Sequence, residues 1–160
     1  MKIENMVIRK AIEKDIDQIL ILLSEVLEIH AKLRPDIFIS GTTKYTKEEI
    51  LKKINDDEPI YVAVDNDVLL GYAFCEIKKP AFSNTMRPMK IFYIDDFVID
   101  EKYRHQHIGE TLFDYVKQEA KNFGCYEICL SAWEGNEAAN KFYEKIGLKV
   151  KSKTMEYILK

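Results

Sequence analysis

The residues with the clearest chemical use lie between Phe97 and Thr111, where a strand-like run passes directly into a helical one. A helix start carries unpaired N–H groups and a partial positive charge. A turn that aims several such groups at one point holds an anion such as pyrophosphate. In the segment Arg104-His105-Gln106-His107-Ile108-Gly109, Gly109 lets a ligand approach the backbone closely, and Arg104 adds positive charge at the mouth of the turn. No GxxxxGK[ST] run exists, so this is not a P-loop. His105 and His107 stand two apart in a loop without an obvious third ligand, so no metal is expected. Just upstream, Asp95 supplies a carboxylate able to take a proton, while its neighbour Asp96, on the other face of the strand, reads as structural. The plain structural alternative is an ordinary strand-to-helix connection beside two solvated or hydrogen-bonded acids.

These groups need a scaffold. The chain has 160 residues, which corresponds to a single domain spanning 1–160. A chain of that size buries about 70% of its unfolded surface in one core. A hydrophobic fraction of 47% with 32% charged residues is globular rather than disordered. The net charge of −3, without a long Lys/Arg run, makes nucleic acid a poor partner. No stretch approaches the ~20 apolar residues of a membrane helix, and Met1 to Asn5 lacks a signal-peptide core, so a soluble cytoplasmic protein is expected. Cys75, Cys125 and Cys129 form no CxxC pair and read as buried free thiols.

Val7 and Ile8 mark a first strand. Ile16, Ile19, Leu20, Leu23, Val26 and Leu27 recur at three and four residues, one face of a helix that Arg34-Pro35 breaks near Leu33. Thr46 and Glu49 form a capping box for a second helix ending near Asn55, after a loop from Pro35 to Lys44. Ile60 to Val64 and Val68 to Ile77 read as a hairpin about Asp65-Asn66-Asp67. Lys78 to Met89 is a loop and Lys90 to Asp100 a strand, whose alternation puts Tyr93, Asp95, Phe97 and Ile99 on one face and Phe92, Ile94, Asp96 and Val98 on the other. A helix from Gly109 to Phe123, a strand from Glu127 to Ala132 and a helix from Asn136 to Ile146 follow, with Gly124 and Gly147 as stops. Strands at Leu148 to Lys151 and Thr154 to Leu159 complete the prediction. The fold class is α+β (mixed α/β): hairpin pairing gives antiparallel strands, and the helix after Lys90–Asp100 gives a right-handed parallel crossover.

Two segments carry a resemblance. Arg104, Gly109 and the positions between are similar to the acetyl-CoA motif of the GNAT N-acetyltransferase superfamily, with His107 where that family usually has glycine. The run from Trp133 through Asn136, Ala139, Phe142-Tyr143-Glu144-Lys145 to Gly147-Leu148 resembles the family's downstream motif, with Leu148 in place of phenylalanine. The likeness covers Tyr93 to Leu159 well, and the first 60 residues only in their order of elements. It implies a GNAT fold: a central mixed, mostly antiparallel sheet of six to seven strands, about four helices, and a splayed parallel strand pair that receives the pantetheine arm.

It also implies transfer of an acetyl group from acetyl-CoA, a co-substrate, to a primary amine of a small molecule or peptide. Attack is direct, so the lack of a Ser/His/Asp or Cys/His set is no obstacle. By resemblance Tyr143 is the general acid that protonates the leaving thiolate, and Asp95 the first choice of base. The backbone of Phe97, Val98 and Ile99 receives the acetyl carbonyl and arm. Arg104, His105, Gln106, His107, Ile108, Gly109, Glu110 and Thr111 hold the pyrophosphate. Asn136 bonds the arm, and Ala139, Phe142 and Tyr143 flank it. Relatives that use a later-strand Glu differ from this chain, which has Ser131 there; that argues against a ribosomal-type protein-N-terminus acetylase. His30, Arg34, Asp36, Phe38, Glu76 and the Ala81 to Met89 loop are candidate acceptor walls. Many relatives pair through C-terminal strands, so a homodimer is expected. The alternative, motivated by His107, is a non-catalytic acyl-CoA-binding regulatory protein on the same fold.

Overall fold

The structure is a computed structural model that describes residues 3–80 and 83–160. Ala81 and Phe82, at the start of one expected acceptor wall, lie outside the described residues. In chain order the elements are β1 (Met6–Lys10), α1 (Ile16–Leu33), α2 (Lys47–Asn55), β2 (Ile60–Asp65), β3 (Val68–Lys78), β4 (Ile91–Ile99), α3 (Ile108–Asn122), β5 (Glu127–Leu130) and α4 (Glu137–Lys145). The sheet runs β1-β2-β3-β4-β5, antiparallel throughout except for the parallel pair β4–β5, which α3 bridges.

Local chemistry accounts for the boundaries. The Arg9 guanidinium grips buried Asp15 with two bonds of 2.7 and 3.0 Å, and Asp15 also accepts the Ile12 N–H at 2.8 Å, tying the start of α1 to β1. Pro35 disfavours helical geometry at Arg34, where α1 ends. Thr46 and Glu49 exchange their capping bonds at the start of α2. Asn66 and Asp67 both take positive φ (46° and 70°), the mirror-image turn that matches the twist of a two-residue hairpin.

The sheet is covered on both faces. Ile16, Ile19 and Leu23 of α1 and Ile50 of α2 pack on Val62, Tyr72, Phe74 and Val98. Leu112, Phe113 and Val116 of α3 pack on Ala73, Cys75, Phe92 and Ile94. Each fully buried aliphatic side chain in these layers contributes about 1.5–3 kcal/mol of transfer free energy. Gly71 on β3 lies close against β4: a Cβ there would lie 2.6 Å from the Val98 carbonyl oxygen.

Two sequence expectations are corrected. The strict alternation along β4 fails, because a bulge interrupts it. Phe74 faces Asp96 and Cys75 faces Ile94, leaving Asp95 as the extra residue. Before the bulge, Phe92 and Ile94 face α3; after it, Phe97 and Ile99 do, while Val98 faces α1. Asp95 and Asp96 therefore share the α1 side instead of opposing each other.

The sheet has five strands among the described residues, not six to seven. Leu148 packs against the α3 layer, but 149–160 are exposed, and none of their backbone N–H groups bonds to a described residue. Lys151 pairs with Glu127 and Glu156 with Arg34, so the segment runs along the body without a neighbouring strand. β-propensity at Val150 or Tyr157 does not make a strand without a partner edge. The thiol expectation is also narrowed: Cys75 is buried, but Cys125 and Cys129 are only half-buried.

Candidate active site

The parallel pairing of β4 with β5 stops at Ile94↔Leu130. Beyond it β4 continues past the bulge to Ile99, while the chain after Leu130 turns off toward α4. The outer backbone groups of this part of β4 have no strand partner, and a cleft of about 360 Å3 opens there. Asp95, Asp96 and Phe97 form one side, Leu130 to Trp133 the opposite side, and Asn136, Ala139 and Tyr143 of α4 the end. The α1 face closes it with Leu23, Val26, Leu27 and His30.

At the far end of β4, Glu101–Tyr103 make one 3-10 turn, and the chain enters α3 through residues 104–107. Among the described residues, no backbone N–H from His105 to Glu110 donates to a protein acceptor. That is a cluster of free donors at a helix start. Arg104 and Gln106 are exposed, and the Arg104 Nε reaches back to the Ile99 carbonyl at 3.4 Å. Ile108 is buried, so it offers only its backbone. Thr111 spends its hydroxyl on the His107 carbonyl at 2.8 Å. Glu110 is neutralised by Lys145 at 2.6 Å and lies 3.5 Å from His107 Nδ1; Lys145 first, then His107, holds its carboxyl below the ordinary value.

His105 (φ 65°) and His107 (φ 62°) both adopt left-handed backbone. The conformation that glycine supplies elsewhere in such turns is thus kept here by a side chain that adopts it at a cost. His107→Gly should therefore stabilise the fold by about 0.5–1 kcal/mol, net of the extra unfolded-state freedom of glycine. Urea unfolding of the two proteins checks this, and an unchanged or lower midpoint would refute the strain.

Gly109 is also required by packing. Its φ is not positive, and a Cβ there would sit 2.8 Å from two carbons of the Phe142 ring. Phe142 in turn stacks on Phe97 with centroids 5.6 Å apart. The small residue thus seats an aromatic wedge joining β4, α3 and α4. Asn136 caps α4 by accepting the Ala139 N–H at 3.5 Å while lining the cleft. The Tyr143 phenol lines the cleft and has no hydrogen-bond partner among the described residues. Burial, with a smaller contribution from Asp96, pushes it up to about 12.

The two carboxylates have different surroundings. Asp95 is engaged by the Tyr45 hydroxyl and by Lys44, whose Nζ is 3.3 Å from the carboxylate and 2.8 Å from the Asp95 carbonyl. Asp96 accepts the Tyr72 hydroxyl at 3.0 Å and the Phe97 N–H at 3.1 Å. Burial nevertheless raises its pKa, outweighing Lys44 and the two hydrogen bonds. The Phe97 N–H is thereby occupied. His30 and Phe38 also line the cleft, rings 5.1 Å apart, and Phe38 meets Trp133 edge-on at 5.2 Å. Arg34 is taken by Asp36 and Glu156, and Glu76 is not part of the cleft wall. Lys44, Tyr45 and Tyr72 were not named from the sequence: their place depends on loop packing and on the β3–β4 register.

A mixed sheet parted at a β4 bulge, with a helix start bearing free N–H groups beside the opening, is an α+β arrangement suited to an extended, anionic ligand. The model of the Acetyltransferase (GNAT) family matches residues 23–148, and the chain belongs to that family. It is 28% identical to glucosamine 6-phosphate N-acetyltransferase 1 of Dictyostelium discoideum, over 72% of this chain and 75% of that protein. It is 32% identical to a glucosamine 6-phosphate N-acetyltransferase of Arabidopsis thaliana, but over only 39% of this chain and 40% of the relative. The crystal structure of a tetramutant of the BH1408 protein of Bacillus halodurans superposes with a TM-score of 0.90 at 28% identity, covering 96% of this chain and 99% of that one. Among the described residues, no helix is long and apolar enough to cross a membrane.

Proposed function

We propose that this protein transfers the acetyl group of acetyl-CoA to a primary amine by direct attack. One observation carries the reading: a phenol without a hydrogen-bond partner among the described residues, Tyr143, and a half-buried acid, Asp96, line the same cleft beside a helix start with free N–H groups. The amine nitrogen attacks the thioester carbonyl. Its proton passes to Asp96, directly or through water, with Asp95 as the neighbouring alternative. The C–S bond then breaks, and Tyr143 gives its proton to the departing thiolate, whose basicity desolvation in the cleft raises along with that of the phenol. Both side chains regain their starting protonation through solvent. The N–H groups of residues 105–110 and Arg104 hold the diphosphate, and Val98 and Ile99 present backbone to the arm and acetyl oxygen.

The test is thiol release from acetyl-CoA with a panel of amines, beside thermal unfolding with and without the co-substrate. Acetyl-CoA at 100 times its Kd should stabilise the fold by about 2.7 kcal/mol. No stabilisation would sink the reading. Stabilisation without turnover on any amine would favour a binding protein.

The reading extends to a homodimer. Val150, Met155, Tyr157, Ile158 and Leu159 are 59–93% exposed in an extended segment, and the outer edge of β5 is open. Light scattering should return about twice the 18.8 kDa of one chain, and the single-chain mass would refute pairing.

A further inference from the structure

The acceptor half of the cleft has a definite chemical character. Leu23, Val26 and Leu27, spaced at three and four along α1, make one wall, and Phe38 and Trp133 make an aromatic corner. The floor carries the carboxyls of Asp95 and Asp96. One cation lines the cleft among the described residues, Lys44, and it is committed to the side chain and carbonyl of Asp95. The next cation along α1, Arg34, has its guanidinium held by Asp36 and Glu156.

A phosphate monoester needs cations or several N–H donors to replace its water, and two carboxyls on the floor oppose its approach. An ammonium group gains from the same carboxyls during encounter. An apolar carbon body gains from the α1 wall and the aromatic corner. The cleft volume, about 360 Å3, is at the small end for ligand sites and must also admit the acetyl end of the donor. Resting on the acetyltransferase reading above, we propose that the acceptor is a small primary amine on an uncharged apolar body, an alkyl- or arylalkylamine, and that phosphorylated amino sugars are poor acceptors. The amine group sits over Asp96, and its carbon chain lies between Val26 and Phe38.

The experiment uses the full chain with acetyl-CoA and compares hexylamine, phenethylamine, glucosamine and glucosamine 6-phosphate by thiol release. The kcat/KM for phenethylamine should exceed that for glucosamine 6-phosphate by at least about tenfold. Phe38→Ala should raise the KM for phenethylamine by about tenfold while leaving the KM for acetyl-CoA within about twofold. Glucosamine 6-phosphate used as well as or better than the apolar amines would overturn the proposal and leave the acetyltransferase reading standing. So would a lack of turnover on the apolar amines when acetyl-CoA still raises the melting temperature. If acetyl-CoA fails to raise it, the acetyltransferase reading falls as well.

Discussion

Tyr143→Phe should lower kcat with the best amine by about 10²-fold or more while leaving acetyl-CoA affinity close to that of the parent protein. The phenol makes no hydrogen bond to a described residue, so its removal strands no buried partner and the fold should be little affected. The ring keeps its edge-on contact with Phe142, centroids 6.0 Å apart, so the cleft keeps its shape. What is lost is a proton donor whose pKa, raised by burial to about 12, keeps it protonated through the working pH range. A leaving thiolate desolvated in the same cleft is also made more basic, and without that proton must depart as an anion into a half-apolar cleft. Steady-state kinetics with a calorimetric titration of acetyl-CoA separates the two quantities. Unchanged kcat would mean that water or another group protonates the thiolate.

The order of elements up to α4 was readable from local signals. The 3–4 spacing of α1, the Thr46–Glu49 box and the Asn66-Asp67 turn each act over a few residues, so pattern alone reveals them. The C-terminal strands were not readable, because a strand is a property of two segments and propensity describes only one. Residues 149–160 have the composition of strands, yet among the described residues they pair with no strand, although the outer edge of β5 is open.

The site divides in the same way. The turn at 104–109 and the place of Tyr143 on α4 are legible because each lies within one contiguous run. The acidic floor is not: period-2 counting puts Asp95 and Asp96 on opposite faces, and one inserted residue in the register against Phe74 and Cys75 turns both to the α1 side. The packing demand at Gly109 is likewise hidden from local pattern, since the atoms that exclude a Cβ belong to Phe142, far downstream in the chain. His107 leaves the reverse problem: its type argued against a left-handed turn, and the structure has one there.

Asp96→Asn should lower kcat/KM by about 10²-fold and flatten its dependence on pH, whereas Asp95→Asn should have the smaller effect. The difference follows from what each carboxylate is already doing. Asp95 is committed to Lys44 and Tyr45, contacts that hold the 34–46 loop against β4, so its loss acts through acceptor binding. Asp96 lies in a site where burial favours the neutral form, which raises its basicity toward that of an incoming amine. Catalysis should rise with pH as Asp96 ionises, on a limb above the ordinary carboxylate value of about 4. Stability should move the other way. The folded-state pKa exceeds the unfolded one, so the stabilisation Asp96 gives is full below the unfolded value and is lost as pH climbs through the folded one. In Asp96→Asn both pH dependences should weaken together, one read by kcat/KM across pH and the other by urea midpoints across the same range. An unchanged kinetic profile would remove Asp96 as the proton acceptor. A flattened kinetic profile with an unchanged stability profile would mean that its raised pKa belongs to the complex with substrates and not to the free protein.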